Sequence, residues 1–184
     1  VIVYTALGGL QAVVYTDSVQ WTVLLVGLLA VALPMAWSDV GGLAGLRAGL
    51  PEGHLSLGRI DGWTAATWVL TIVPIWFVGM TLYQRIYATR DVATARRAWF
   101  VAGLLEYPLM AFAGTLLGMI ARVQFPTAEA EMGLPLLIAE TLPIGIMGLV
   151  MAAYFSAIMS TADSCLLASV GNAVGDLYVR LFDR

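Results

Sequence analysis

Apolar residues run along this chain in long uninterrupted blocks, and most polar positions fall between them. A helix crosses about 30 Å of hydrocarbon in roughly 20 residues, because each residue rises about 1.5 Å and every backbone polar group is satisfied within the helix. Four blocks reach that length, which predicts spans over about 17–38, 62–88, 98–122 and 143–170. Residues 1–7 read as the end of another helix, closed by Gly8-Gly9, with residues 11–16 as a short connection. Segments 39–61 and 123–142 are Gly-rich or bounded by Pro, and each is long enough for short helices lying along a surface. The pattern is one all-α integral membrane domain over 1–184, with no soluble domain and no repeat at a fixed period.

Composition removes the soluble alternative. Apolar residues make up 60% of the chain and charged ones 11%, against about 45–50% and 25% in globular proteins. The net charge is −3, and all nine basic residues are Arg. Without Lys or a basic cluster, neither a nucleic-acid surface nor a phosphate-cradling P-loop is supported. Cys165 is the sole cysteine, so no intrachain disulfide or Cys-based zinc site forms, and its apolar neighbours predict a buried thiol. His54 is the sole histidine, and no nucleophile stands with a base, so enzyme chemistry finds no support. The chain opens on Val1 in an apolar run, with no initiator Met and no signal-peptide pattern, and reads as a piece of a longer protein.

Arg placement predicts orientation. Segment 85–97 holds Arg85, Arg90, Arg96 and Arg97, whereas 123–140 holds Glu129, Glu131 and Glu140 with no basic residue. Positive loops stay on the cytoplasmic side. The inner loop is therefore 89–97, 39–61 and 123–142 are outer loops, and the tail with Arg180 and Arg184 returns to the cytoplasm; the expected location is the plasma membrane.

Polar groups within the spans mark the candidate chemistry. On the last span, Ala157, Ser160, Thr161 and Ser164 share one helical face, with Asp163 at its edge. Hydroxyls of this kind can simply hold helices together. A carboxylate at membrane depth costs about 2.5–3.5 kcal/mol, so Asp163 calls for a cation, a proton or an Arg as partner. Asp17 opens the first full span beside Gln20, either as a functional acid or as a helix N-cap. Glu106 lies within the third span just before Pro108, and both a transport role and a bridge to a neighbouring helix stay open. The second span, with Pro74, Trp76 and Gly79, suggests a broken helix of the kind that lines solute cavities, and Trp76 lies deep enough to face one. Tyr83 and Tyr87 suit the headgroup belt, and Gly114 to Gly118 suits close helix packing.

Three stretches resemble the sodium:solute symporter family. They are Gly8-Gly-Leu-Gln-Ala-Val-Val-Tyr-Thr-Asp17-Ser-Val-Gln20, then Gln84-Arg85 with the Arg-bearing loop, and Leu142-Pro-Ile-Gly-Ile-Met-Gly-Leu-Val through Met159-Ser160-Thr161-Ala-Asp163-Ser164 to Gly175-Asp176-Leu177-Tyr178. The resemblance implies part of a leucine-transporter-type inverted-repeat fold, from the end of core helix 4 through core helix 8. It implies a sodium site drawing on the Ala157 carbonyl and the Ser160 and Thr161 hydroxyls, completed by core helix 1 of the parent polypeptide. Neutral oxygens suit a hard cation that must also leave. Some members add a second sodium site, which falls here on Asp17, Ser160, Asp163 and Ser164. Asp at 163 departs from the usual hydroxyl, so two acids surround one cation or one of them holds a proton. The stretch Ile75-Trp76-Phe77-Val78-Gly79 lacks the polar groups of sugar carriers. That argues against a sugar and leaves amino acids, small carboxylates or choline-like cations, with Trp76 as the substrate contact.

The expected function is sodium-coupled import of a small organic solute across the lipid bilayer, with no enzymatic activity. The alternative is the sensor module of a symporter-type histidine kinase.

Overall fold

The computed structural model describes residues 2–56, 58 and 60–182, and of Tyr4 only the backbone. Val1 and Arg184, used above in reading the two ends, lie outside the described residues. Among those residues every regular element is helical. Four helical runs are long and apolar enough to cross a membrane: Thr5–Asp39, Gly62–Tyr87, Val92–Gln124 and Ile144–Phe182.

The first run begins with α1 (Ile2–Leu25), which passes through one wide turn (Val26–Ala32) into α2 (Leu33–Asp39). Gly9 (φ 55°, ψ −153°) kinks α1 in a region essentially reserved for glycine. Segment 11–16 is therefore helical and no connection is needed, because one residue makes the whole change of direction. The wide turn is a π-turn, with the Leu33 amide donating five residues back to Leu28. It precedes Pro34, whose missing N–H and bulky ring disfavour a regular α-turn there.

α3 (Gly42–Gly49) follows as a short helix lying on the later helical segment Phe112–Gln124. The second run is discontinuous. α4 (Gly62–Val78) starts at Asp61, whose Oδ1 accepts the Trp63 and Thr64 amides at 3.0 and 2.9 Å. It continues through Pro74 and stops at Gly79, whose extended ψ of 101° separates it from α5 (Met80–Tyr87). At this break the Tyr83 hydroxyl donates to the Phe77 carbonyl at 2.8 Å, giving an end-of-helix carbonyl a partner.

α6 (Val92–Leu105) is capped by Asp91, runs through a second π-turn (Glu106–Ala111) that contains Pro108, and becomes α7 (Phe112–Gln124). α8 (Gly133–Thr141) lies against α7. The last run is α9 (Ile144–Asn172), a third π-turn (Ala173–Tyr178) and α10 (Val179–Phe182).

α1 packs most extensively on α9. The wide turn after α1 also meets α9, and close approach at that point depends on Gly27, where an added Cβ would stand 2.9 Å from Val150 Cγ2. The apolar core gathers Ala36, Leu46, Leu117, Ile120, Leu137 and Ile138 around α2, α3, α7 and α8. α4 contributes no buried residue, and large apolar side chains such as Leu70, Phe77 and Phe100 are exposed. Surface of that kind suits lipid or further helices rather than water.

Two further expectations, about packing, also need correction. Gly114 and Gly118 meet nothing within 4 Å of an added Cβ, so no helix among the described residues packs on that pair. Cys165 is exposed rather than buried, because the packed side of α9 here is the Asp163–Ser164 side and the next residue turns about 100° away.

Candidate functional site

The α1–α9 interface brings together the polar groups that the apolar blocks isolate. Asp163 is completely buried on α9, and its Oδ1 accepts the Thr5 hydroxyl of α1 at 2.8 Å. One residue further, Ser164 is nearly buried, and its hydroxyl donates to the Ser160 carbonyl at 3.0 Å. The Thr161 hydroxyl donates to the Ala157 carbonyl at 3.3 Å. These back-bonds follow from helical spacing, since Ser and Thr reach the carbonyl four residues earlier. They line up hydroxyl and carbonyl oxygens along two turns of α9.

Asp17 lies on α1, and its Oδ2 accepts Arg85 Nη2 at 2.7 Å. The same nitrogen donates to Ser164 Oγ at 2.7 Å, while Nη1 reaches the Thr81 carbonyl at 3.1 Å. Gln84 Nε2 donates to the Leu167 carbonyl at 3.3 Å. The short helix beyond the Gly79 break therefore ties α1 to α9 through two adjacent side chains. A cavity of about 760 Å³, lined in part by Gln11, Asp17, Ser18 and Arg85, opens against the pair.

Two oxygens in this region have no hydrogen-bond partner among the described residues. They are Asp17 Oδ1 and Gln20 Oε1, both buried and one helical turn apart. Orphaned acceptors of this kind are uncommon in folded proteins and mark places where a water or ion completes the structure. No group of three or more His, Cys, Asp or Glu suited to a metal occurs among the described residues, so any cation here relies on hydroxyls, carbonyls and isolated carboxylates.

Trp76 stands apart from this cluster. It lines a cavity between the broken run and α6, 6.4 Å from the ring of Tyr107. Of the expected site residues, Asp17 and Ser164 meet at Arg85, Asp163 takes Thr5 as a partner, and Ala157 and Thr161 meet directly. Arg85 and Thr5 were not expected as site residues. Arg85 carried a signal, as a charge at the end of an apolar run next to a discontinuity, while Thr5 carried none.

These features define a polytopic α-helical membrane protein with a discontinuous helix and an ion-pair cluster between its packed helices. The chain belongs to the sodium:solute symporter family, which it matches over residues 1–184. It is similar to sodium/myo-inositol cotransporter 2 of Sus scrofa, at 27% identity over 98% of this chain and 33% of that protein. It is similar to the sodium/mannose cotransporter of Bos taurus, at 28% identity over 98% and 37%. The sodium/pantothenate symporter of Haemophilus influenzae is 30% identical over 96% and 38%. The chain thus spans about a third of the length of these relatives, which are named as transporters and lend no support to an enzyme or a histidine-kinase sensor. No solved structure matches it.

Proposed function

We propose that the protein containing this chain imports a small organic solute, driven by sodium entry. The observation that supports this reading is the Thr161 hydroxyl bonded to the Ala157 carbonyl on α9, with Ser160 the preceding residue of the same helix, in a family of sodium:solute symporters. Neutral oxygens bind an alkali cation weakly enough for release on each cycle. The remaining ligands come from core helix 1 of the parent polypeptide, in a leucine-transporter-type inverted repeat. Segment 89–97 faces the cytoplasm, a reading the Arg distribution supports, and the membrane is the plasma membrane.

Coupling needs sodium and solute each to favour one conformation over another, since a ligand of equal affinity for both shifts nothing. The Gly79 break supplies a joint between α4, which has no buried residue, and α5, which is tied to α1 and α9. Trp76, just before that joint, is the solute contact.

A second cation on Asp17, Ser160, Asp163 and Ser164 belongs to this reading too. The orphaned Asp17 Oδ1 supports it. Arg85 engages Asp17 through Oδ2, so a cation seated at Oδ1 leaves the guanidinium in place. An Asp163→Asn variant with unchanged sodium stoichiometry and pH dependence would sink the second site.

The test of the main reading uses the full-length protein in liposomes with an inward sodium gradient and a pooled metabolite mixture. Accumulation of a solute class, lost in Ser160→Ala with Thr161→Ala, is expected. Accumulation that ignores the sodium gradient overturns it.

A further inference from the structure

Between the broken run and α6 lies a cavity of about 320 Å³, a size that holds a small organic molecule. Trp76 and Trp99 line it, the small side chains of Ala98 and Ala102 leave it open, and Glu106 and Arg85 are its two charged groups. Arg85 is already engaged by Asp17, Ser164 and the Thr81 carbonyl. Glu106 makes no hydrogen bond or ion pair among the described residues. The uncompensated charge on the cavity wall is therefore negative.

Local structure places that charge deliberately. Glu106 opens the π-turn around Pro108, and such turns re-aim side chains and recur at functional sites. A carboxylate within a membrane span takes a cationic partner. Indole faces attract cations as well, and Trp76, Trp99 and the neighbouring Tyr107 make this wall aromatic.

The geometry points to an organic cation as the solute: a small molecule with a primary or quaternary ammonium, held by the Glu106 carboxylate and the Trp76 and Trp99 rings. This rests on the symporter reading and assigns its solute class. The relatives carry names of uncharged or anionic solutes, myo-inositol, mannose and pantothenate, so the assignment separates this chain from them.

Equilibrium binding to the purified full-length protein tests it, with choline and tetramethylammonium as probes. The comparison ligand is 3,3-dimethylbutan-1-ol, the uncharged isostere of choline. Choline is expected to bind about tenfold more tightly than the isostere, and Glu106→Gln to erase that preference while leaving sodium binding intact. Equal binding of choline and isostere overturns the assignment, as does a preference that survives Glu106→Gln. Where Glu106→Gln fails to fold, the wild-type comparison decides, and Trp99→Leu supplies the second variant, with a reduced preference expected.

Sodium-driven uptake separates the two readings. Uptake of myo-inositol or pantothenate that tetramethylammonium does not inhibit overturns the cation assignment and leaves the symporter standing. Choline binding without any sodium-dependent uptake does the reverse.

Discussion

Arg85 Nη2 and Asp17 Oδ2 stand 2.7 Å apart, joining two helices whose contributing residues are 68 positions apart in sequence. The pair is partly buried, with Asp17 at 19% exposure and Arg85 at 36%. Removing one partner leaves the other charge desolvated, whereas removing both relieves that penalty. Asp17→Asn is therefore expected to destabilise the protein by about 2 kcal/mol. Asp17→Asn combined with Arg85→Gln should cost less than the sum of the single changes. Thermal unfolding of the four proteins in detergent measures the coupling, and strict additivity would show that the ion pair holds nothing together.

The α9 hydroxyls make a separate prediction. Ser160→Ala and Thr161→Ala should each raise the sodium concentration for half-maximal transport about tenfold, the effect of losing one hydrogen-bond-strength contact to an ion. Thr161→Ser keeps the oxygen and should keep the affinity. Thr115 on α7 makes the same kind of back-bond, to Ala111 at 2.8 Å, away from this cluster. If Thr115→Ala weakens sodium dependence as much as Thr161→Ala, the site lies elsewhere.

Apolar spanning helices were legible because they depend on local sequence, as at Gly62–Tyr87, whereas residues 92–97, read as inner loop, open the helical run Val92–Gln124. Capping was misplaced: Asp17, offered as a helix N-cap, lies inside α1, and the caps fall on Asp61 and Asp91 instead. Asp61 precedes the turn whose amides it accepts, so acceptor and donors are neighbours in sequence. Partner choice was not legible. Thr5 and Asp163 are 158 positions apart, and nothing in the apolar stretch around Thr5 announces that its hydroxyl reaches the other end of the chain. The discontinuity in the second run was anticipated from Pro74 and Gly79 together. The helix tolerates Pro74 and breaks at Gly79, where an extended ψ exposes carbonyls that Tyr83 can reach.

The kink at Gly9 has a direct energetic consequence. Its φ of 55° and ψ of −153° lie where an L-residue's Cβ meets its own backbone, although the surrounding space is empty. Gly9→Ala is expected to destabilise the protein by about 1–3 kcal/mol through backbone strain alone. Gly62→Ala is the matched control, because an added Cβ also meets nothing there and the backbone is helical. Thermal unfolding of the two variants decides, and equal midpoints would mean that α1 straightens without penalty.

The caps Asp61 and Asp91 make part of the fold pH-dependent. The Thr64 hydroxyl, and then the Thr64 and Trp63 amides, hold the Asp61 carboxyl below its ordinary value of 3.8. At Asp91 the Thr94 amide does so first and the Thr94 hydroxyl second. A carboxyl depressed in the folded state contributes stability that is fully present above its unfolded pKa and lost as pH falls through the folded one. Capping of α4 and α6 should therefore be constant from neutral pH down to about 4 and weaken only below that. Amide protection at Trp63 and Thr64, corrected for intrinsic exchange rates, reads this directly. Asp61→Ala should lower protection at every pH, while Asp61→Asn, which still presents a cap oxygen, should keep it and remove the acid-side loss. Acid-side fraying that persists in Asp61→Asn would assign the titration to another group.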